Sequence, residues 1–393
     1  MGQKVSRAGH GHSRSTQDTT ELQSLVANAA PQPKSRRPRV SRTADLEGYV
    51  RAALSEVSGC APEQIFRPSK HFPKPQLRKG VMNRIITFPG SFAPPHMGHK
   101  LLLTHAFFRS NLDNVVAAII SPNSTKSIRK KLRNEPDAMV LTRKERVSLW
   151  DDPFLTPWSW VNPFPHQKSG DFENALLGSV EADGYEIEFV LIVGGDHMNQ
   201  AATENNTDSI EPTVVLSDGL RSIPRAPSGA PLPFVGYGEW QQSEESHARL
   251  FAKLERCELS ALAMLHLLYP LEVDTVLQHS THLRKKNARA LAVLQECLHV
   301  SGCPWFCMNL QEASLQMQFV PARNVAGNGT ESDLSSTSIR AVIREVDPAR
   351  RVLALTDLAL NPQMLSDLVD EKKRKKALKN VKQAARRRGQ TLT

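Results

Sequence analysis

With 393 residues, 40% of them hydrophobic, the chain is long enough for one large domain with an insertion. No stretch approaches the roughly 18 consecutive apolar residues that suggest a membrane span. The formal charge of +10 is uneven: from Glu371 onward ten Lys or Arg stand against one acid, and residues 1–44 carry eight against two. The part between is therefore net acidic, and the pI of 9.4 describes the ends.

Residues 1–44 are rich in Ser, Thr, Gln, Arg and Pro and poor in apolar side chains, which predicts a disordered basic segment. Its first residues fit M-G-x-x-x-[ST], the pattern for N-myristoylation at Gly2, with Lys4, Arg7 and Arg14 able to assist at an anionic membrane. It carries no secretory apolar core and no recurring apolar face of a mitochondrial presequence, so the expected compartment is the cytoplasm, the nucleus or both. Residues 45–80 read as an amphipathic helix and a linker, the helix over 45–57 with Leu46, Tyr49, Val50, Ala53, Leu54 and Val57 at helical intervals. A Pro- and Lys-rich linker over 67–80 follows.

Residues 84–88 are an apolar run of strand length, and 101–108 continue as an apolar helix. Between them lies TFPGSFAPPHMGHK, residues 87–100, a tight turn leading to a helix start. Gly90 permits an unusual backbone, Pro94 and Pro95 stiffen the approach, and Gly98 lets a phosphate near the main chain. His96 and His99 fall on one side of the first helical turn, where both imidazoles can reach an anion held by free N–H groups. The stretch GSFAPPHMGH resembles the GSFNPPHxGH signature of the nucleotidylyltransferase superfamily, and its Phe and Pro-Pro are most like the nicotinamide mononucleotide adenylyltransferase branch. Ala93 stands where that signature has Asn. A second stretch, Leu334-Ser335-Ser336-Thr337-Ser338-Ile339-Arg340, resembles the ISSTxIR element with which these enzymes hold ATP phosphates. The resemblance implies an α/β fold, a doubly wound Rossmann-like parallel sheet, over residues 81–369. It also implies ATP contacts from Gly90, Ser91, Phe92, Gly98, Ser335, Ser336 and Thr337.

Residues 114–120 read as a second buried strand, which completes strand, helix, strand. The loop after it, Ser121 to Lys126, resembles by position the lysine loop of the family. Lys126 is the phosphate contact so implied, with Lys130 and Lys131 close behind. Residues 140–150 resume helical spacing, with Arg143 and Arg146 available on it. Pro157-Trp158-Ser159-Trp160 then ends in a rigid turn, and the resemblance implies that Trp158 or Trp160 stacks on a nicotinamide ring. Either tryptophan could instead pin the loop to the core. Residues 188–193 form the next buried strand and deliver Gly194, Gly195 and Asp196. This resembles the GxD element of the family, with Gly194 allowing close passage and Asp196 contacting the nucleoside. Asp196 also suits a helix N-cap. A fourth strand over 213–216 leads to Arg221, which the resemblance puts on the adenine side.

From about 223 to 300 the sequence departs from the compact family pattern. It reads as a helical insertion, with helices over 244–268 and 271–298, that could be a lid, a partner surface or an extension of the core. Within and beyond it Cys297, His299, Cys303 and Cys307 cluster. Their spacing fits no zinc pattern and their surroundings are apolar, so with Cys60 and Cys257 the cysteines read as reduced thiols and no metal site is expected. Two more strands are expected over 305–308 and 315–320.

The mechanism implied needs no enzyme nucleophile: a mononucleotide phosphate attacks the α-phosphorus of ATP while His96, His99, Arg340 and a Mg²⁺ held mainly by the phosphates stabilise charge. The acceptor that the resemblance implies is nicotinamide mononucleotide, giving NAD and pyrophosphate. The alternatives are a cytidylyltransferase for a phospho-alcohol and a diverged ATP-hydrolysing or nucleotide-sensing relative; a class I aminoacyl-tRNA synthetase also carries HxGH, but no KMSKS-like loop follows here. Residues 370–393 form a second disordered basic terminus. Its Lys372-Lys373-Arg374-Lys375-Lys376 and Arg386-Arg387-Arg388 have the spacing of a bipartite signal for a nuclear import receptor; the alternatives are another polyanion, RNA or acidic lipid, and a solvated helix. The sequence leaves the oligomeric state open.

Overall fold

The computed structural model describes residues 42–59, 62–69, 72–135, 138–164, 169–194, 213–217, 225–243, 245–256, 260–278, 283–313, 315–322 and 335–387. The N-terminal segment, with its myristoylation pattern, lies outside them apart from its last residues. Those last residues form β1 (Thr43–Asp45), which leads directly into α1 (Leu46–Ser58). Asp45 caps α1 by accepting from the Glu47 N–H at 3.0 Å, and Gly59 ends it at φ +74°. Leu46, Val50, Ala53 and Leu54 are the buried stripe that the spacing predicts. The linker reading of 67–80 needs correction, because β2 (Gln76–Arg78) pairs antiparallel with β1. Only Leu77 of its three residues is buried, too short a pattern to register as a strand.

The main sheet begins with β3 (Met82–Gly90), from which α2 (Met97–Arg109) returns to β4 (Val115–Pro122). The short α3 (Thr125–Lys131) and α4 (Arg143–Ser148) precede β5 (Ser159–Val161), and α5 (Ser169–Ala182) precedes β6 (Glu186–Gly194) and β7 (Val214–Ser217). The edge strand β8 (Gln241–Gln242) comes next. After it lie α6 (Ser246–Arg256), α7 (Ala261–Leu268), a 3-10 turn (Pro270–Glu272), α8 (Val273–Leu277) and α9 (Leu283–Ser301). The chain closes with β9 (Trp305–Met308), β10 (Gln316–Val320), α10 (Ser336–Glu345), α11 (Pro348–Leu355) and α12 (Pro362–Arg387).

The eight-stranded order is β5-β4-β3-β6-β7-β10-β9-β8, parallel from β5 to β10 and antiparallel beyond. This is the expected Rossmann-like doubly wound sheet. From β3 the chain steps one way to β4 and β5, then crosses to β6 on the other side, so the switch point falls between β3 and β6. Folds of this kind open a crevice there, at the carboxyl ends of the strands. One face of the sheet carries α1 and α5 through Phe172, Leu176 and Val180; the other carries α2 and the insertion.

The insertion extends the core. Leu102, Leu103 and Ala106 of α2 share one buried cluster with Met264, Leu265, Leu268, Leu294 and Leu298, and Thr104 Oγ1 donates to the Leu267 carbonyl at 3.0 Å. Its two expected helices are subdivided: Ser260 caps α7 by accepting from the Ala263 N–H, and Pro270 opens the 3-10 turn. Burial pushes the thiols of Cys297 to about 11 and Cys307 to about 12, so both are protonated at neutral pH. Among the described residues no helix is long and apolar enough to cross a membrane.

The C-terminus also departs from expectation, because α12 runs unbroken from Pro362 to Arg387 where a disordered tail was anticipated. Leu365 and Val369 are fully buried against Ile339, Ile343 and Leu355, and Arg351 donates to Asp370 at 2.6 Å. That anchored first half supplies the costly helical nucleus, from which good helix formers propagate.

Candidate active site

At the carboxyl ends of β3 and β6 lies a cleft of about 410 Å³. Its floor includes Gly90 and Gly194, the last residues of those strands, and its walls include His96, His99, Asn123, Lys131, Ser335, Thr337 and Arg340. The first motif leaves β3 through Ser91 and Phe92, and Phe92 takes the left-handed backbone at φ +44°. Gly90 itself does not need positive φ. A Cβ there would stand 2.5 Å from the Phe92 ring, so glycine is required because that ring folds back over it. Phe92 is 1% exposed and meets His99 edge-on at 4.9 Å, with Phe88 and Trp150 each 5.1 Å from it. Its aromatic side chain holds the histidine from behind, and the residue also lines the cleft.

His96 is the residue preceding α2, and its ring centroid lies 3.7 Å from that of His99. The His96 backbone N–H donates to His99 Nδ1 at 3.2 Å, which fixes the His99 proton on Nε2. His96 is 2% exposed, and its own Nδ1 is buried without a partner. Burial and the nearby Arg340 charge hold the His96 pKa down at about 3, and desolvation with His96 and Lys131 nearby holds that of His99 well below the usual value. Both rings are neutral N–H donors at neutral pH.

The second motif meets the first directly. Ser335 caps α10 by accepting from the Ser338 N–H at 3.1 Å, and Ser336 Oγ donates to the Pro94 carbonyl at 2.9 Å. Arg340 donates from NH1 to the Ala93 carbonyl at 2.6 Å, from Nε to Glu135 at 2.8 Å, and from NH2 to Thr337 Oγ1 at 3.0 Å. A guanidinium has five N–H groups, so three bonds leave two for a bound anion. Ala93 and Arg340 are 247 residues apart in the chain. The segment after α11 closes the assembly: the Met97 N–H donates to the Leu358 carbonyl at 2.8 Å, and His96 bridges Ala359.

The structure brings together Gly90, Ser91, Phe92, His96, His99, Gly194, Ser335, Ser336, Thr337 and Arg340. Gly98 is buried within α2 and does not line the cleft. Lys126 is also displaced from its expected place. It is exposed on the first turn of α3, and the lysine that lines the cleft is Lys131 at the end of that helix. Of the two readings of the tryptophans, the structure has the core one for both. Trp158 is 2% exposed and stacks on Phe107 at 4.1 Å, while Trp160 sits in β5 against Phe172 on the other face of the sheet. Each fills a core because the Pro157 turn resolves into a strand paired with β4, where alternate side chains face opposite layers. Asp196 and Arg221 lie outside the described residues.

Sequence reasoning named Arg146 on its helix and passed over Asn123, and gave neither a role at the site. Asn123 lines the cleft, and its N–H donates to the Gly90 carbonyl at 2.8 Å. Arg146, fully buried on α4, donates to the Ser91 carbonyl at 2.6 Å and to the Asn123 carbonyl, tying the motif turn to the end of β4. The available signal was an arginine inside an otherwise apolar helical stripe. Among the described residues no carboxylate lines the cleft and no group of three His, Cys, Asp or Glu could hold a metal ion. The donors present suit phosphate oxygens, so a resident Mg²⁺ does not fit them; a magnesium ion would enter as part of the nucleotide substrate.

The buried imidazoles set a pH dependence of stability. His96, His99 and His105 are all held neutral in the fold, with His105 Nε2 donating to the Leu268 carbonyl and Nδ1 accepting from Arg109. Unfolded, each takes a proton near pH 6.5. Below about pH 6.5 the unfolded chain therefore binds more protons, and stability falls as pH falls, by at most about 1.4 kcal/mol per pH unit for each ring. The urea midpoint at pH 5.5 is expected below that at pH 7.5; an equal or higher midpoint would mean that the rings are charged in the fold.

Over 126 residues, 32% of its length, the chain is 30% identical to a probable nicotinate-nucleotide adenylyltransferase of Rhizobium johnstonii, and it spans only 57% of the length of that curated relative. The nicotinic acid mononucleotide adenylyltransferase of Plasmodium falciparum, solved with APC, is similar at a TM-score of 0.25 and 11% identity, covering 34% of this chain and 63% of the other. The same enzyme solved with NaAD gives 0.24 and 11%, covering 51% and 97%. No family model matches. By sequence, the chain resembles the nicotinate and nicotinamide mononucleotide adenylyltransferase branch of the nucleotidylyltransferases.

Proposed function

We propose that this protein is a nucleotidyltransferase that moves the adenylyl group of ATP onto a mononucleotide, nicotinate or nicotinamide mononucleotide, releasing pyrophosphate. The observation that carries the reading is the direct contact of the two distant motifs, Arg340 on Ala93 and Ser336 on Pro94, around one cleft holding two neutral imidazoles. The name of the curated relative supports the acceptor class.

A phosphate oxygen of the acceptor attacks the α-phosphorus in line, a new P–O bond forms, and the bond to the β-phosphate breaks with its electron pair leaving on pyrophosphate. Negative charge builds on the α-phosphoryl oxygens and on the departing pyrophosphate. His99 Nε2–H and the two uncommitted N–H groups of Arg340 are the donors for it, and Lys131 adds a charge at the rim. The α10 N-terminus, with Thr337 on its first turn, offers main-chain N–H groups to the β- and γ-phosphates. Because no side chain forms a covalent bond, positioning and charge stabilisation supply the rate.

The test incubates purified protein with ATP and Mg²⁺, adding nicotinate mononucleotide, nicotinamide mononucleotide or no acceptor, with CTP and phosphocholine in parallel. Pyrophosphate and dinucleotide are expected in equal amounts with at least one of the two mononucleotides. Phosphate release without an acceptor, or turnover with CTP and phosphocholine alone, would overturn the reading.

A further inference from the structure

Arg340 is held by three segments that meet only in the folded chain. NH1 donates to the Ala93 carbonyl in the first motif, NH2 to Thr337 Oγ1 one turn back on α10, and Nε to Glu135 Oε1 at 2.8 Å, just past the end of α3. The first two acceptors are neutral, and among the described residues Glu135 is the one charged group that bonds Arg340. The lining of the cleft includes Lys131, Leu132 and Arg340 but not Glu135. The carboxylate therefore acts on a bound phosphate through the guanidinium.

The position of Glu135 is tied to the first motif. Its N–H donates to the Leu132 carbonyl at 3.1 Å, and its own carbonyl accepts from the Ala138 N–H at 3.3 Å, so the turn is closed on both sides. Leu132, Ile128 and Ala93 form one small buried cluster, which seats that turn against the residue whose carbonyl takes NH1. Two anchors on one packed block, one neutral and one charged, hold the planar fork in a single orientation. A long side chain without them would spread over several rotamers and have to be ordered when the nucleotide arrives. The charge of a carboxylate opposes that of the phosphates, so what Glu135 contributes is placement.

We infer that Glu135 is a positioning residue of the nucleotide site, one that sets the Arg340 fork for the phosphates before ATP binds. The inference rests on the reading of the cleft as an ATP site.

The test compares Glu135→Gln with Glu135→Ala in the full chain. Both remove the charge, but glutamine keeps an Oε1 acceptor for Nε–H, so the difference between them isolates placement. By calorimetry, ATP affinity is expected to be about fivefold lower with alanine than with glutamine. Turnover to pyrophosphate with nicotinate or nicotinamide mononucleotide is expected to be at least about tenfold lower. In an Arg340→Met background the two substitutions are expected to agree in ATP affinity within about twofold, because the group through which Glu135 acts is gone. A folding defect of the alanine variant would persist in that background and so cannot imitate the result. Equal ATP affinity of the two variants with Arg340 present, or an alanine deficit that survives Arg340→Met, would overturn the inference. Absence of ATP binding by the parent would overturn both the inference and the reading beneath it, whereas the expected affinities without any dinucleotide product would overturn adenylyl transfer alone.

Discussion

A His99→Ala protein is expected to bind ATP within a few-fold of the parent and to release pyrophosphate at least about 10²-fold more slowly. Removing one preorganised donor to developing charge typically costs that much or more in turnover. The binding expectation rests on the other phosphate partners, because Ser335, Thr337, Lys131 and Arg340 all line the cleft independently of the imidazole. His99→Gln is the informative companion, since its amide N–H can stand near the position of Nε2–H and should recover part of the rate. Calorimetry for ATP and a coupled assay for pyrophosphate separate the two quantities. Turnover equal to the parent would remove His99 from the mechanism.

The second large effect is expected at Arg146→Met, which should destabilise the fold by about 2–4 kcal/mol and lower turnover more than tenfold while leaving the KM for ATP near the parent value. The arginine satisfies the carbonyls of Ser91 and Asn123, and methionine would leave both buried acceptors unpaired at roughly 1–3 kcal/mol each. An opposing contribution moderates the loss: among the described residues Arg146 has no carboxylate partner, and burial together with Arg143 lowers its pKa to about 10, so its charge is itself costly to bury. The acceptor penalty is the larger because no water reaches a residue with no exposed surface. Turnover suffers because Ser91 and Asn123 shape the cleft edge, and displacements on the order of 1 Å cost about 10²-fold. Arg146→Lys keeps the charge but presents one point donor where a fork is needed, so it should restore stability more than rate. Urea melts and assays below the melting range distinguish these outcomes.

How much of this was legible in the sequence depended on periodicity. Strands β3, β4, β6 and β7 are continuous apolar runs, the signature of strands buried on both faces, and each appears within a few residues of its expected bounds. Strand β5 has only three residues and follows a proline, so nothing local distinguished it from a turn or decided whether its tryptophans meet a ligand or the core. The helix α5 did carry a signal, Phe172, Leu176 and Val180 at steps of four, but in a segment without caps to mark it. In α12 the charge density hid a helix whose stability comes from packing at its other end. At the site, motif spacing indicated the histidines and the Ser-Ser-Thr turn. It could not indicate Lys131 over Lys126, because the length of α3 decides which lysine reaches the cleft.

The closure of residue 358 on Met97, and of Arg340 on Ala93, has a consequence for the order in which the chain is made. A nascent polypeptide leaving the ribosome exposes its paired histidines long before the guanidinium and hydroxyls that complete them have been translated. Products truncated before residue 358 therefore lack the closed cleft.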